Sequence, residues 1–195
     1  MLPSEITFCK KYLLKDPDIQ TIFDIGSRQD SIYHKLNLAW KVYLFDPVDC
    51  SNAYKKYMNA KFFNVAMGNE LKEEKFFPSG ASFINRFGSK ESITVTMFRI
   101  KDFCFINKID SIDFLKIDTE SWDFEVMKGC DELILAPKYI QFEADWKKYG
   151  YDNTMQDIMD YKYFKKKFFY NIGGKPRNFV ITDNVIDYPV IRKPL

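Results

Sequence analysis

Short apolar runs that stop at a carboxylate recur along this chain. Thr21-Ile22-Phe23-Asp24-Ile25-Gly26, Lys41-Val42-Tyr43-Leu44-Phe45-Asp46, Phe114-Leu115-Lys116-Ile117-Asp118 and Lys138-Tyr139-Ile140-Gln141-Phe142-Glu143 mix β-branched and aromatic residues at strand length. Near-continuous apolar runs of this kind fit strands covered on both faces. Residues 60–66 predict another strand, and Ile93, Val95 and Met97 alternate with Thr94 and Thr96 as in a further one. Between the runs the period changes. Ile32, Leu36, Ala39 and Trp40 fall at i, i+4, i+7 and i+8, predicting a helix over about 30–39. Ser4 is placed to cap a first helix within residues 1–16, with Ile6, Cys9 and Leu13 on one face. A short helix is expected near Asn52–Met58, one ending at Gly129, and one from Thr154 to about Lys166 within a helical cap segment at 145–167. Residues 70–90 read as an irregular excursion, with Lys72-Glu73-Glu74-Lys75 solvated and Pro78-Ser79-Gly80-Ala81-Ser82 a loop. Phe168–Asn171 and Asn178–Thr182 read as an antiparallel pair around Gly173-Gly174-Lys175-Pro176. Strand and helix alternate and a hairpin follows. The fold class is therefore α/β, a doubly wound, mostly parallel sheet with an antiparallel C-terminal edge hairpin, in one domain over 1–195.

In open α/β sheets ligands bind beyond the carboxyl ends of the strands, so the terminal carboxylates are the first candidates for chemistry. Gly26 permits a tight turn and close approach to a ligand, and the helix expected after it would offer free N–H groups to an anion. Asp46 lies at the end of the second strand, about 20 residues after that turn, where a ribose-hydroxyl ligand of adenosine-type cofactors stands. A turn begun with Pro47 is the plainer reading of Asp46. The full G-x-G-x-x-G fingerprint is missing, since Arg28 occupies the place of its second glycine. Asp24 beside the turn would repel a pyrophosphate but suits a cofactor that carries an ammonium group. The residues thus favour S-adenosylmethionine over NAD. Val65 and Ala66, at the end of the third strand, are placed for the adenine or for plain core packing.

Several stretches together resemble the FkbM family of methyltransferases. They are Asp24-Ile25-Gly26-Ser27-Arg28, Leu44-Phe45-Asp46-Pro47, Asn64-Val65-Ala66-Met67-Gly68, Ile100-Lys101-Asp102-Phe103 and the run from Lys116 to Gly129. The resemblance covers roughly residues 20 to 145 and implies a class I, Rossmann-like enzyme that uses S-adenosylmethionine, typically to O-methylate sugars or natural products. The chain departs from the family's pattern at Ser121, where glycine is usual, at Lys101, where an acidic residue is usual, and in having one glycine in the first loop. With the resemblance, the cofactor-binding candidates are Asp24, Gly26, Ser27, Arg28, Asp46, Pro47, Val65, Ala66 and Asp118. Methyl transfer is an in-line displacement, so the protein must position the acceptor and take its proton. Glu143 is the first candidate for that base, Asp118 the second, and Glu120 a third whose plain reading is a helix N-terminal charge. Ser82, Trp146 and Tyr149 are candidates for the acceptor side. Asp118, Glu143 and Asp145 could together hold a divalent cation, but carboxylate clusters are common and no metal is assigned.

Composition narrows the partners. A chain of 195 residues, 46% hydrophobic and 17% aromatic, can bury a two-sided core. Net charge of +2 does not advertise nucleic acid or a membrane surface, so the expected partner is a sugar or glycan acceptor. The basic-aromatic run Lys165-Lys166-Lys167-Phe168-Phe169-Tyr170 reads as a helix end entering a strand. Cys9, Cys50, Cys104 and Cys130 are scattered without zinc spacing and read as small buried hydrophobes in a reducing compartment. With no secretory leader and no long apolar run, the expected location is cytoplasmic. His34 is expected to be structural. An NAD(P)-dependent oxidoreductase and a non-catalytic binding module remain the alternatives.

Overall fold

The computed structural model describes residues 3–80, 83, 88, 90–120, 122–144, 155–173 and 178–192. Five parallel strands form the centre of the main sheet: β1 (Thr21–Ile25), β2 (Lys41–Phe45), β3 (Ala60–Phe63), β7 (Phe114–Ile117) and β8 (Tyr139–Glu143). Beyond β8 lie β10 (Asn178–Thr182), β9 (Phe168–Gly173) and β11 (Val190–Arg192), each antiparallel to its neighbour. The order across the sheet is β3-β2-β1-β7-β8-β10-β9-β11. The order reverses between β1 and β7, which is where a doubly wound sheet opens a crevice at its carboxyl edge.

Two apolar layers sandwich this sheet. On one face, α1 (Pro3–Lys11), α2 (Tyr33–Leu36) and α3 (Ser51–Tyr54) bring Phe8, Cys9, Tyr33 and Tyr54 against Ile22, Val42, Leu44, Phe114 and Val180. On the other, α4 (Ile100–Asn107), α5 (Asp123–Lys128) and α6 (Met155–Met159) lay Ile100, Phe103, Val126, Met127, Met155 and Ile158 on Phe23, Ile25, Leu115, Ile117 and Phe142. Side chains alternate between faces along a strand. Ile22 therefore serves one layer while Phe23 and Ile25 serve the other. A second sheet, β4 (Ala66–Met67), β6 (Ile93–Phe98) and β5 (Lys72–Phe76) in the order β4-β6-β5, stands beside the carboxyl edge.

Several expectations are corrected. The helix foreseen over 30–39 is a single turn, α2. Asn37 is extended, and its side chain accepts the N–H of Ala39 at 3.0 Å, a local bond that competes with helix continuation. Tyr33 and His34, not Ile32 and Ala39, face the core. The strand expected over 60–66 is broken at Asn64, whose amide donates to the carbonyl of Asp46 at 3.1 Å, and Ala66–Met67 instead joins the second sheet. The excursion at 70–90 contains a strand, β5, in register with β6 from Lys72↔Met97 to Phe76↔Ile93. Ser4 lies inside α1 and is not a preceding cap, and α3 is shorter than the helix expected at 52–58. The helix expected from Thr154 to Lys166 is α6 followed by a 3-10 turn at Lys162–Phe164, with Thr154 outside the described residues. Helix α4 and strand β11 were not foreseen. The described part of the segment at 145–167 packs Met155, Ile158, Met159 and Phe164 into the core.

Candidate functional site

The carboxyl ends of β1, β2 and β7, with β4, enclose a cavity of about 690 Å³. Asp24, Gly26, Ser27, Arg28, Asp46, Pro47, Val65, Ala66, Asp118 and Glu120 all line it, so every candidate cofactor residue faces one space. The helix N-terminus expected behind Gly26 does not contribute, because α2 begins only at Tyr33 and is one turn long. The turn is made by backbone instead. Gly26 and Ser27 donate to the carbonyl of Phe45 at 2.8 and 3.1 Å, and Asp118 donates to that of Ile25 at 2.9 Å. Gly26 has φ of +78°, and a Cβ there would stand 1.9 Å from the carbonyl oxygen of Asp118. Only glycine fits between the ends of β1 and β7.

Asp24 lies next to Lys116 in the sheet register, and Lys116 next to Gln141. These three form a polar row on a face whose other strand residues are mostly apolar. The Lys116 ammonium is 3.0 Å from Asp118 Oδ2 and 3.5 Å from Asp24 Oδ1. Burial pulls its pKa down, but the two carboxylates outweigh that and raise it. Asp24 is itself buried. Desolvation raises its carboxyl, with the Lys116 charge and then the Ser31 hydroxyl drawing it back down, and neither oxygen has a close, well-aligned donor among the described residues. A buried carboxylate short of such donors costs a kcal/mol or more, on the order of 1–3. Two carboxylates thus share one cation, and the cavity keeps surplus negative charge.

Asp46 makes the turn that was its plainer reading and lines the cavity as well. Its Oδ1 accepts the N–H of Val48 at 2.9 Å, the turn with Pro47, while Oδ2 accepts the N–H of Arg28 at 3.0 Å and ties the first loop to the second strand. Burial raises its carboxyl, and those two N–H groups pull it back. Val65, Ala66 and Met67, with Phe76 and Phe83, supply the apolar wall.

Glu143 does not line the cavity. It ends β8 beside Asp123, whose Oδ1 accepts the Glu143 N–H at 3.1 Å and whose Oδ2 takes the Thr119 hydroxyl at 2.8 Å and N–H at 3.2 Å. Asp123 therefore ties the ends of β7 and β8 together. Burial, then the Asp118 charge, pushes the Asp123 carboxyl up to about 6. Burial, then Asp118 and Asp123, pushes Glu143 up to about 8, against a hydrogen bond from Asn178 at 3.2 Å. Glu120 has φ of +50° and follows Thr119 at the cavity rim. Ser82, Trp146 and Tyr149, the acceptor candidates, lie outside the described residues, as do Asp145 and Ser121. Among the described residues no group of His, Cys, Asp and Glu is placed to hold a metal ion. All four cysteines are free.

Sequence reasoning missed Lys116 as the shared cation, Asp123 as the tie, and Tyr54, whose phenol bonds the first loop at the Arg28 carbonyl over 2.6 Å. The position of Asp123 in the first turn of a helix after a carboxylate-rich stretch was the available signal for it. Nothing local distinguishes Tyr54.

A strand order reversing at β1/β7, a glycine turn and a strand-end carboxylate on one cavity, and an antiparallel strand beyond β8 define the methyltransferase type of doubly wound fold. The model of the methyltransferase FkbM domain matches residues 24–168, and the chain belongs to that family. Among solved structures, the chain is similar to the methyltransferase FkbM from Methylobacillus flagellatus KT, with TM-score 0.60 and 13% identity over 84% of this chain and 44% of that one. It is also similar to monomeric WbdD, with TM-score 0.52 and 10% identity over 94% of this chain and 40% of that one. These likenesses concern the fold, and the chain spans under half the length of either relative. No curated protein matches it in sequence. Among the described residues, no helix is long and apolar enough to cross a membrane.

Proposed function

We propose that the protein is an S-adenosylmethionine-dependent O-methyltransferase acting on a hydroxyl of a sugar, in a glycan or a nucleotide sugar. The observation that carries the cofactor is the surplus negative charge under the cavity, where Asp24 and Asp118 share the single Lys116 ammonium. A ligand bearing an ammonium and a sulfonium neutralises such a site, whereas a pyrophosphate is repelled by it. The residues present fit the group. Asp24 would take the amino group, Asp46 the ribose hydroxyls, and Val65, Ala66 and Met67 the adenine face, with Gly26, Ser27 and Arg28 forming the loop around them and Pro47 turning the chain at the rim. The chemistry that cofactor supplies is an electrophilic methyl on a readily leaving sulfonium.

What remains for the protein is to orient the acceptor and remove its proton. Glu143 is the base in this reading. Its pKa of about 8 makes the ionised form a stronger proton acceptor than an ordinary carboxylate, with the share of that form growing as pH rises toward 8. Asp123 fixes its backbone, and Asp118, held at 3.0 Å by Lys116, raises its basicity through charge. The sugar acceptor rests on the family resemblance.

The test is isothermal titration of the protein with S-adenosylhomocysteine, with NAD as control. Micromolar binding of S-adenosylhomocysteine alone is expected. Binding of NAD instead would replace the reading with that of an oxidoreductase, and binding of neither would favour a non-catalytic module.

A further inference from the structure

Arg28 is a left-handed residue without a glycine's freedom. Its φ is +44°, in the region where L side chains crowd the following carbonyl at a cost of about 1–2 kcal/mol. It stands where the dinucleotide pattern has its second glycine. Such a conformation persists only where its surroundings over-determine it. Here both polar ends of the residue are held. The Arg28 N–H donates to Asp46 Oδ2 at 3.0 Å, and the Arg28 carbonyl accepts from the Tyr54 phenol at 2.6 Å.

Tyr54 is rooted away from the cavity. Its side chain is 1% exposed, and its ring stacks on Phe62 at 5.8 Å and stands edge-on to His34 at 5.4 Å. The phenol also lies 3.2 Å from the Ser27 carbonyl and accepts the Ser31 N–H at 3.3 Å. One hydroxyl therefore touches three backbone groups of the loop that runs from Ser27 to Ser31 along the cavity. Burial raises the Tyr54 pKa, so the phenol keeps its proton and remains a donor at working pH.

We propose that Tyr54 is a positioning residue for the cofactor loop. With Asp46 it clamps Arg28 in the left-handed conformation and so replaces a glycine that the loop lacks. The clamp lets the loop carry an arginine at the mouth of the cavity, where its charge helps keep Asp46 ionised. The functional weight of the clamp rests on the cofactor reading above, while the clamp itself does not.

The test uses Tyr54→Phe, which keeps the ring and its packing, together with Arg28→Gly and the double variant. Amide hydrogen exchange at Ser27–Ser31 in the free protein is expected to quicken at least tenfold in Tyr54→Phe, with unchanged protection in β1 and β2. Affinity for S-adenosylhomocysteine is expected to fall about tenfold in Tyr54→Phe. The loss on adding Tyr54→Phe to Arg28→Gly should be less than about threefold, because glycine needs no clamp. Unchanged exchange in Tyr54→Phe would overturn the proposal, as would additive losses in the double variant. Faster exchange in a protein that binds no S-adenosylhomocysteine would leave the clamp standing and remove the cofactor reading instead.

Discussion

Asp24 sits inside a strand at 1% exposure, on a face whose other strand residues are mostly apolar, with a lysine at 3.5 Å as its charged partner. A core would be as stable or more so with apolar residues in place of the whole Asp24–Lys116 pair, since a buried ion pair contributes little and often costs stability. Its carboxyl is raised by burial, so ionisation at neutral pH opposes folding. Asp24→Asn should lower the thermal midpoint only modestly, because the carboxylate loses its desolvation cost and Lys116 keeps Asp118 as a partner. The same change should weaken S-adenosylhomocysteine by at least tenfold in calorimetry. A sharply lower midpoint with unchanged affinity would make Asp24 a structural residue. Asp24, Asp46 and Asp118 were legible in the chain because a carboxylate ending an apolar run has no reason to be in a core. Asp123 and Lys116 were not. Their roles depend on which strands lie side by side, and Asp24, Lys116 and Gln141 meet only through sheet register.

At the scale of elements, the alternation of runs announced β1, β2, β7, β8 and the C-terminal pair, all of them buried strands with apolar residues to show. It did not announce β5. In that strand Lys72 pairs with Glu70 at 2.7 Å and Glu74 at 3.0 Å on a solvated face, and backbone bonds to β6 hold it without an apolar pattern. The single turn of α2 shows the opposite error, a good helical period overruled by an Asn side-chain bond. The small sheet is joined to the main fold by close approach. A Cβ on Gly129, at the end of α5, would lie 1.8 Å from the carbonyl oxygen of Gly68, just past β4. Gly129→Ala must therefore push β4 and α5 apart. The expected cost is about 2–4 kcal/mol in urea unfolding, from backbone displacement in a packed region, with weaker cofactor affinity because Ala66 and Met67 belong to the same wall. An unchanged unfolding midpoint would show that the two elements can separate freely.

Over the whole molecule, buried ionisable groups set how stability responds to pH. Glu143 titrates near 8 and Asp123 near 6 when folded, both above their ordinary values of 4.5 and 3.8. The folded state keeps protons that the unfolded chain has released, so these groups favour folding most below about pH 4 and lose that contribution as pH rises through 6 and 8. His34 works the other way. Burial lowers it to about 4 from 6.5, so its contribution is complete above 6.5 and is lost as pH falls toward 4. Urea midpoints should decline from pH 6.5 to 8, and Glu143→Gln should flatten that decline. An equally steep decline in the variant would place the proton uptake elsewhere. Methyl transfer should rise with pH toward about 8 and be lost in Glu143→Gln, if Glu143 is the base. By itself the sequence determined the α/β alternation, the antiparallel edge and the carboxylates at strand ends, because periodicity and the cost of burying charge are local properties. The tertiary structure alone decided that ten of the candidate residues share one cavity, that Glu143 does not line it, and that Tyr54 bonds the loop at Arg28. Those facts depend on distances between segments far apart in the chain, and no pattern along the chain encodes such distances.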